Sequence, residues 1–271
     1  MTSALTATPV LQERRGSALW LTLNRPEVFN GLNQDMIDGL AAGLDAAEAA
    51  PEVRVVVLTA AGKAFCAGAD LRYARSLADA PTPAGTPSAG NAFLQRTRAL
   101  LDRIEGLAKP VIAAINGVTV GGGLELVLVC DLAIASRGAK LGDGHAVYGQ
   151  VPGGGASARL VRRLGLATAK HLMFTGELHP AERFLGTDLL VDVVEPEELV
   201  AAVDRLVDVI ASRSPIGLAT MKRLANDALD TPLPTALTRE LEASALHERS
   251  EDWREGISAF AEKRIPEFPG R

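Results

Sequence analysis

The chain is poor in cysteine and in aromatic residues, and it has neither an excess of basic charge nor a long apolar run. Its two cysteines, Cys66 and Cys130, form no C-x-x-C pair, which excludes a disulfide framework and a cysteine-rich metal site. The formal net charge of −5 argues against a nucleic-acid-binding protein, because such proteins usually carry basic clusters. No apolar run reaches the roughly 18 residues that a membrane span needs, and the N-terminus MTSALTATP has no signal-peptide pattern. We therefore expect a cytoplasmic protein with neither nucleic acid nor a membrane as partner.

The hydrophobic pattern changes character once along the chain. Apolar, β-branched stretches such as residues 53–59 and 111–115 are typical of buried strands, and helical stretches lie between them. After Pro196, four successive stretches have helical periodicity and none has the pattern of a strand. We predict an α/β core over residues 1–197 and an all-helical region over residues 198–271. Within the core the order strand, strand, helix recurs, which indicates successive turns of a spiral.

Residues 76–90, SLADAPTPAGTPSAG, are rich in alanine, proline, threonine and glycine and have no period. This composition predicts a mobile loop. Both a plain linker and a lid over an active site are consistent with it.

The segment from Lys109 to Asp131, KPVIAAINGVTVGGGLELVLVCD, contains an unusual carboxylate. An apolar strand and an Asn116-Gly117 turn lead to three glycines, and the stretch that follows them is apolar on all sides except for Glu125. A helix that is apolar all round is a buried helix, so Glu125 is a charge that folding would normally exclude. Either this side chain is functional, or it is a structural acid that caps the helix N-terminus.

A second glycine-containing loop, Cys66-Ala67-Gly68-Ala69-Asp70, also follows an apolar strand. Each of the two loops, taken singly, is typical of a tight turn. If they converge, one backbone N–H from each loop can hold the same carbonyl oxygen, as in an oxyanion hole. Glycine at a helix start allows a ligand to approach these N–H groups, because glycine has no Cβ atom.

Several other catalytic patterns are absent from the sequence. The stretch from Gly121 to Leu126 lacks the third glycine of a dinucleotide fingerprint, and Ser157 does not lie in a G-x-S-x-G sequence. No Walker sequence is present. The histidines are isolated and show no metal-ligand spacing, so we expect no metal site; they are His145, His171, His179 and His247.

Three motifs, taken in order, resemble the enoyl-CoA hydratase/isomerase family, the crotonases. They are FCAGADL (residues 65–71), NGVTVGGGLELVLVCD (residues 116–131) and VPGGGASARLVRRLG (residues 151–165). The resemblance extends from Leu23-Asn24-Arg25-Pro26 to the tail at residues 256–264. It implies an α/β fold, a crotonase-like spiral of ββα turns, with a C-terminal all-helical region that builds homotrimers or dimers of trimers.

The resemblance also implies an acyl-CoA thioester as substrate and no separate cofactor, since coenzyme A is part of that substrate. The backbone N–H groups of Ala67 and Gly122 would form the oxyanion hole for the thioester carbonyl. The residues implied to contact coenzyme A are Arg25, Lys63, Ala64, Ala67, Gly68, Ala69, Asp70 and Leu71, with Phe260 and Lys263 from a neighbouring subunit.

The sequence departs from the family pattern at one catalytic position. Hydratases of the family have two glutamates that share a water molecule: the first corresponds to Glu125, and the second, counted back from Pro152-Gly153, corresponds to His145. Histidine is a competent acid or base at neutral pH, since its reference pKa is about 6.5. Asp143 lies two residues earlier, on the same face of an extended segment, and is able to orient the imidazole. A solvated loop histidine and a turn-forming aspartate are the simpler interpretations of these two residues.

We predict an enoyl-CoA hydratase-like lyase that adds water across the 2,3-double bond of an acyl-CoA thioester, through an enolate held by the oxyanion hole. Glu125 activates the water or handles the α-proton, and His145 is the second acid or base. Three alternatives stay open: a double-bond isomerase, a C–C hydrolase, and an acyl-CoA-binding protein with little turnover. Family isomerases that rely on one glutamate keep the second one, which this chain lacks. The hydrolase pairs its histidine with an aspartate where this chain has Gly154.

Overall fold

The structure is a computed structural model that describes residues 8–271. The strands are β1 (Val10–Arg15), β2 (Ala18–Leu23), β3 (Val55–Ala60), β4 (Ala64–Cys66), β5 (Val111–Ile115), β6 (Val118–Val120), β7 (Leu132–Ser136), β8 (Lys140–Gly142), β9 (His179–Pro180) and β10 (Asp192–Val194). The helices are α1 (Gln34–Ala49), α2 (Leu71–Ala78), α3 (Ala89–Gly106), α4 (Gly122–Leu128), α5 (Ala156–Leu164), α6 (Leu166–Thr175), α7 (Leu199–Ala211), α8 (Pro215–Ala228), α9 (Leu233–His247) and α10 (Glu251–Glu262). The first seven residues lie outside the described residues. They belong to the predicted core and to the N-terminal stretch in which we found no signal-peptide pattern.

The strands form two sheets. The larger has the order β1-β2-β3-β5-β7-β10, and the smaller has the order β4-β6-β8-β9. From β3 onward, each turn of the chain adds one strand to the large sheet and the next strand to the small sheet, and a helix follows. The three repeats are β3-β4-α2, β5-β6-α4 and β7-β8-α5. The predicted spiral of ββα turns is therefore confirmed.

The large sheet is buried on both faces, which explains why β3 and β5 are continuous apolar runs. One face packs on the helices of the spiral, including α1, α3 and α4. The opposite face is covered by α7, whose Leu199, Val203 and Val207 join Trp20 and Ile112 in a second apolar cluster. The helical region that begins at residue 198 thus contributes its first helix to the core.

Elements with a clear hydrophobic pattern agree with the sequence predictions better than those without one. Strand β5 covers the predicted residues 111–115, and the chain after Pro196 holds only helices among the elements of residues 8–271. The predicted loop at residues 76–90 is partly wrong, because α2 extends to Ala78 and α3 begins at Ala89. Asp70 accepts hydrogen bonds from the first turn of α2, and this cap starts a helix that the composition did not indicate. Within residues 8–271, none of the helices is long and apolar enough to cross a bilayer.

Candidate active site

The two glycine-containing loops meet in the structure. Strands β4 and β6 are parallel neighbours in the small sheet, so the loops after them leave the sheet at the same edge. Gly68 has a φ of +89°, and a Cβ built on Gly122 would lie 3.6 Å from the Gly68 Cα atom. A Cβ built on Gly68 would lie 3.4 Å from the Gly122 nitrogen, so a side chain there would crowd the first amide of α4. The two loops therefore converge, which is the condition for an oxyanion hole built from both.

The amide of Ala67 is already used inside the protein. Its N–H donates to the Phe29 carbonyl at 3.0 Å, and a backbone N–H has only one hydrogen to share. The prediction that Ala67 supplies an oxyanion donor is therefore wrong. The partner belongs to a turn that lies far earlier in the chain, so no local pattern around Ala67 indicates that its amide is occupied.

Ala69, two residues further on, has the unused amide of this loop. It forms a parallel bridge with Leu32, in which the Leu32 N–H donates to the Gly68 carbonyl at 2.8 Å and the Asp70 N–H donates to the Leu32 carbonyl at 2.9 Å. The central residue of such a bridge points its own N–H away from the partner strand, and no acceptor within residues 8–271 takes this hydrogen. The N–H of Gly122, at the first position of α4, has no intrahelical partner either. Two free N–H groups therefore stand where the loops converge.

Glu125 lies in the first turn of α4 and is only 4% exposed. Its Oε1 atom accepts hydrogen bonds from the backbone N–H groups of Gly154 at 2.8 Å and Ala156 at 3.1 Å. Burial raises the pKa of the carboxyl group, and the two N–H donors partly offset that effect. Glu125 does not cap its own helix, and among residues 8–271 no donor reaches its Oε2 atom. The carboxyl group is held by one oxygen, and the other is available for chemistry.

His145 begins a short 3₁₀ turn after β8, and Asp143 orients its ring. The His145 Nδ1 atom lies 3.1 Å from the Asp143 Oδ1 atom, and the two side chains are 14% and 1% exposed. The Asp143 carboxylate raises the pKa of His145 through this contact, and the charge of Glu125 acts in the same direction. Gly121 links the parts, because its N–H donates to the Asp143 carbonyl and its carbonyl accepts from the Glu125 N–H, both at 3.0 Å. The structure therefore pairs His145 with Asp143 and links this pair to Glu125 through the Gly121 backbone, and the imidazole is not a freely solvated one. The catalytic roles of the three residues stay predictions.

The predicted coenzyme A contacts are placed unevenly. Arg25 is committed to the protein, since its guanidinium donates to the Asp70 carboxylate and to the Gly31 carbonyl, each at 2.8 Å. Ala64 is buried in β4 with its carbonyl bonded to Asn30, so the structure offers a ligand no surface there. The members of the predicted set that are exposed are Lys63, Ala69, Leu71, Phe260 and Lys263, the last two on the C-terminal region. Their contacts with coenzyme A stay predictions.

Two histidines expected to be isolated lie side by side. The rings of His171 and His179 have centroids 5.4 Å apart, and each ring has a nitrogen 3.9 Å from the Glu177 carboxylate. Arg183 Nη1 lies 2.8 Å from His179 Nδ1, where a metal-bound histidine needs an acceptor for its second N–H. We therefore interpret the group as a surface ion cluster and not as a metal site.

Neither cysteine is a candidate nucleophile. Cys66 and Cys130 are both buried and free, and burial raises the pKa of each thiol to about 12. Each thiol therefore stays protonated at neutral pH, and only the thiolate attacks efficiently.

The loop that holds Glu125 is the part of the site that sequence reasoning missed. Gly153-Gly154-Gly155 indicated only the start of a helix, whereas its amides orient a carboxylate from another turn of the spiral. A Cβ built on Gly154 would lie 2.5 Å from the Glu125 Oε2 atom. This close approach explains the glycine, and the run of three glycines after a turn was the only available signal.

A buried carboxylate, an oriented imidazole and two free backbone amides can polarise a carbonyl and move protons beside it. The fold and this site define an enzyme that stabilises an enolate-like oxyanion. Comparison with known proteins agrees. The sequence profile described as enoyl-CoA hydratase/isomerase matches residues 13–271, and the chain belongs to this family, the crotonases.

The relatives include a hydratase and an isomerase, the two activities that the family description names. A short-chain-enoyl-CoA hydratase of Clostridium acetobutylicum is 35% identical over 256 residues, covering 94% of this chain and 95% of the relative. A 1,2-epoxyphenylacetyl-CoA isomerase of Escherichia coli is 36% identical over 262 residues, covering 97% and 98%. The crystal structure of an enoyl-CoA hydratase from Bacillus anthracis superposes with a TM-score of 0.89 at 33% identity, covering 97% of this chain and all of that one (100%).

Proposed function

We propose that this protein is an enoyl-CoA hydratase in which His145 stands where the family's second glutamate stands. The observation that carries the proposal is that backbone hydrogen bonds through Gly121 join the buried Glu125 to the Asp143–His145 pair. One group is a carboxyl and the other an imidazole held by a carboxylate. Near neutral pH the carboxyl group can therefore be deprotonated while the imidazole is protonated.

In the proposed reaction, the thioester carbonyl oxygen accepts hydrogen bonds from the N–H groups of Ala69 and Gly122. One such donor contributes roughly 3–4 kcal/mol to the stability of the developing oxyanion. Glu125 takes a proton from water as the water oxygen bonds to C3 of the enoyl group. His145, as the imidazolium that Asp143 favours, gives its proton to C2. The sum is addition of one water molecule, and proton exchange with solvent restores the two residues.

Coenzyme A enters the proposal only as part of the substrate, and the test uses that substrate directly. The purified protein should remove the enoyl absorbance of crotonyl-CoA or of a longer 2-enoyl-CoA and yield the 3-hydroxyacyl-CoA. Glu125→Gln should lower turnover by at least about 10²-fold, as for a general acid or base. Glu197→Gln, an exposed acid on the surface, is the matched control and should keep full activity. Unchanged absorbance for every chain length would rule out hydration.

An isomerase is the second candidate, supported by the 36% identity to the Escherichia coli isomerase. Incubation with 1,2-epoxyphenylacetyl-CoA tests for the reaction that the relative's name describes. Incubation with 3-enoyl-CoA thioesters, with product analysis for 2-enoyl-CoA, tests for a double-bond isomerase. The C–C hydrolase alternative is disfavoured, because its aspartate would replace Gly154, where a Cβ alone comes within 2.7 Å of both the Glu125 Cδ atom and Leu101 Cδ1. Calorimetry that detects acyl-CoA binding without turnover would indicate the binding protein instead.

The homotrimer, alone or paired with a second trimer, remains part of the proposal. Large apolar side chains are exposed along the C-terminal helices: Met221, Leu229, Leu233, Leu237, Leu241, Leu246, Ile257 and Phe260. Exposed apolar surface of this extent is typical of a protein interface. Analytical ultracentrifugation should find three or six copies of the chain, and a monomer at all concentrations would refute the assembly.

A further inference from the structure

Arg159, on α5, is a buried cation that binds three groups on two other segments of the chain. Its side chain is 10% exposed. Nη2 lies 2.6 Å from a Glu105 oxygen and 2.8 Å from an Asp102 oxygen, and Nε lies 3.1 Å from the other Glu105 oxygen. Nη1 donates to the Gly154 carbonyl at 2.8 Å. The two acids on α3 therefore hold the guanidinium, and the guanidinium holds the loop before α5.

The same loop binds Glu125 on its opposite side. The Gly154 and Ala156 N–H groups donate to the Glu125 Oε1 atom at 2.8 and 3.1 Å, while the Gly154 carbonyl accepts from Arg159. The loop is packed tightly between these partners, since a Cβ on Gly154 would meet Glu125 and a Cβ on Gly155 would meet the Arg159 guanidinium. A displacement of the guanidinium is thus transmitted to the two donors of the Glu125 carboxylate.

We propose that Arg159 is a positioning residue, which fixes the Gly154–Ala156 segment and through it the orientation and ionisation of Glu125. The proposal rests on the proposed function in one respect: Glu125 is the catalytic acid–base group. The property that the test measures is the ionisation of Glu125. Arg159 itself touches no reacting atom. Its planar, five-donor fork meets two carboxylates and a carbonyl at once, a geometry that lysine cannot reproduce with one ammonium group.

Two effects of removing this fork have the same sign. Weaker N–H donation to Oε1 destabilises the ionised carboxylate, and in a variant without the positive charge the uncompensated Asp102 and Glu105 also disfavour it. Both raise the pKa of Glu125. The other charged groups that act on Glu125 are His145, which lowers its pKa, and Asp143, which raises it; both lie after β8 and are unchanged in these variants. Because the proposed base must be ionised, the acidic limb of the activity profile should move to higher pH.

The test compares Arg159→Lys and Arg159→Gln with the wild type by difference infrared titration. The carboxyl band of Glu125 is assigned by its loss in Glu125→Gln. Arg159→Lys should raise the pKa of Glu125 by about one pH unit, a tenfold change in ionisation, and Arg159→Gln should raise it further because the positive charge is also lost. The acidic limb of kcat/KM should move by the same amount, and kcat should fall about tenfold with KM within twofold.

Lys222→Met is the matched control. Lys222, on α8, is 8% exposed and paired with the Asp131 carboxylate at 2.8 Å, so its loss leaves a partly buried acid without its cation. This variant should lose thermal stability without moving the Glu125 titration. A Glu125 pKa in Arg159→Lys or Arg159→Gln equal to that of the control would overturn the proposal, even if kcat fell.

The infrared readout needs no turnover, so it separates two failures. If the wild type hydrates no enoyl-CoA, the proposed function fails, and the titration of Glu125 still decides the role of Arg159. If hydration is observed but Arg159→Lys keeps the wild-type pH profile and the wild-type titration, only the positioning role fails. With Glu125→Gln as background, Arg159→Lys should cause no further loss of kcat, because both changes act on one group.

Discussion

Gly154→Ala tests the site with a single methyl group. The new Cβ would lie 2.5 Å from the Glu125 Oε2 atom and 2.7 Å from Leu101 Cδ1. Real Cβ contacts do not fall below 3.0 Å, so the loop, the carboxylate or both must move. Oε2 is the carboxylate oxygen proposed to take the proton from water, and the displaced residue also carries an N–H donor to Oε1. The substitution therefore disturbs the reacting oxygen and its anchor together.

The expected effect on catalysis follows from these distances. A misplacement of about 1 Å lowers a rate by about 10²-fold, and loss of one hydrogen bond to a charged group removes roughly 1.5–3 kcal/mol, which is about ten- to a hundredfold. The new Cβ requires a displacement of about 0.5 Å, half of the 1 Å misplacement. We therefore expect kcat to fall about 10- to 100-fold with little change in KM. Overpacking of this kind costs about 1–3 kcal/mol of folding free energy, which is compatible with a folded protein.

The assay is hydration of crotonyl-CoA at several pH values, with a thermal melt of each variant. Gly106→Ala is the control, because a Cβ at Gly106 meets nothing within 4 Å and alanine favours a helix. It should keep wild-type kcat. Weaker N–H donation in Gly154→Ala should raise the pKa of Glu125 and move the acidic limb of kcat/KM to higher pH. Near-wild-type kcat in Gly154→Ala would refute the placement of Glu125 against this loop.

Three further predictions concern the imidazole, the oxyanion loops and the tail. Asp143→Asn removes the main cause of the raised pKa of His145, so the limb that requires a protonated imidazole should move to lower pH, and an unchanged kcat–pH profile would contradict the pairing. Gly123→Ala would place a Cβ on the Cys66 carbonyl and push the loops apart, so kcat should fall at least tenfold with the loss of oxyanion donation, measured with crotonyl-CoA. Leu241→Glu puts a charge on the exposed apolar surface of α9 and should shift the sedimentation coefficient toward the monomer, whereas an unchanged assembly would exclude this face from the interface.

Strongly patterned elements were predictable from the sequence, because several of their residues carry the same signal. Strand β5 is a run of five buried residues, and its short length, its β-branched residues and the turn that follows it together favour a buried strand. The three-residue strands β4, β6 and β8 show no period of their own. They are strands because the large sheet and the spiral bring them side by side, an effect of tertiary structure that local propensity does not contain.

The candidate site was also predictable only in part. The sequence showed the types of its main groups: a carboxylate in an apolar helix, a glycine-rich helix start, and a histidine two residues after an aspartate. The sequence did not show which loop amide is free. The Ala67 N–H donates to the distant Phe29 carbonyl, while the Ala69 N–H is directed away from Leu32.

The sequence by itself therefore determined the alternation of strands and helices and the helical C-terminal region, since composition and periodicity are local properties. The resemblance of its motifs to the family implied the spiral and the roles of Glu125 and His145. Only the tertiary structure decided that Gly154 and Ala156 hold Glu125, that Arg159 holds their loop, and that the unused amide of the first loop belongs to Ala69 and not to Ala67. The physical reason is that a hydrogen bond depends on where a donor and an acceptor meet. For these atoms, the meeting point is set by the packing of successive turns of the spiral.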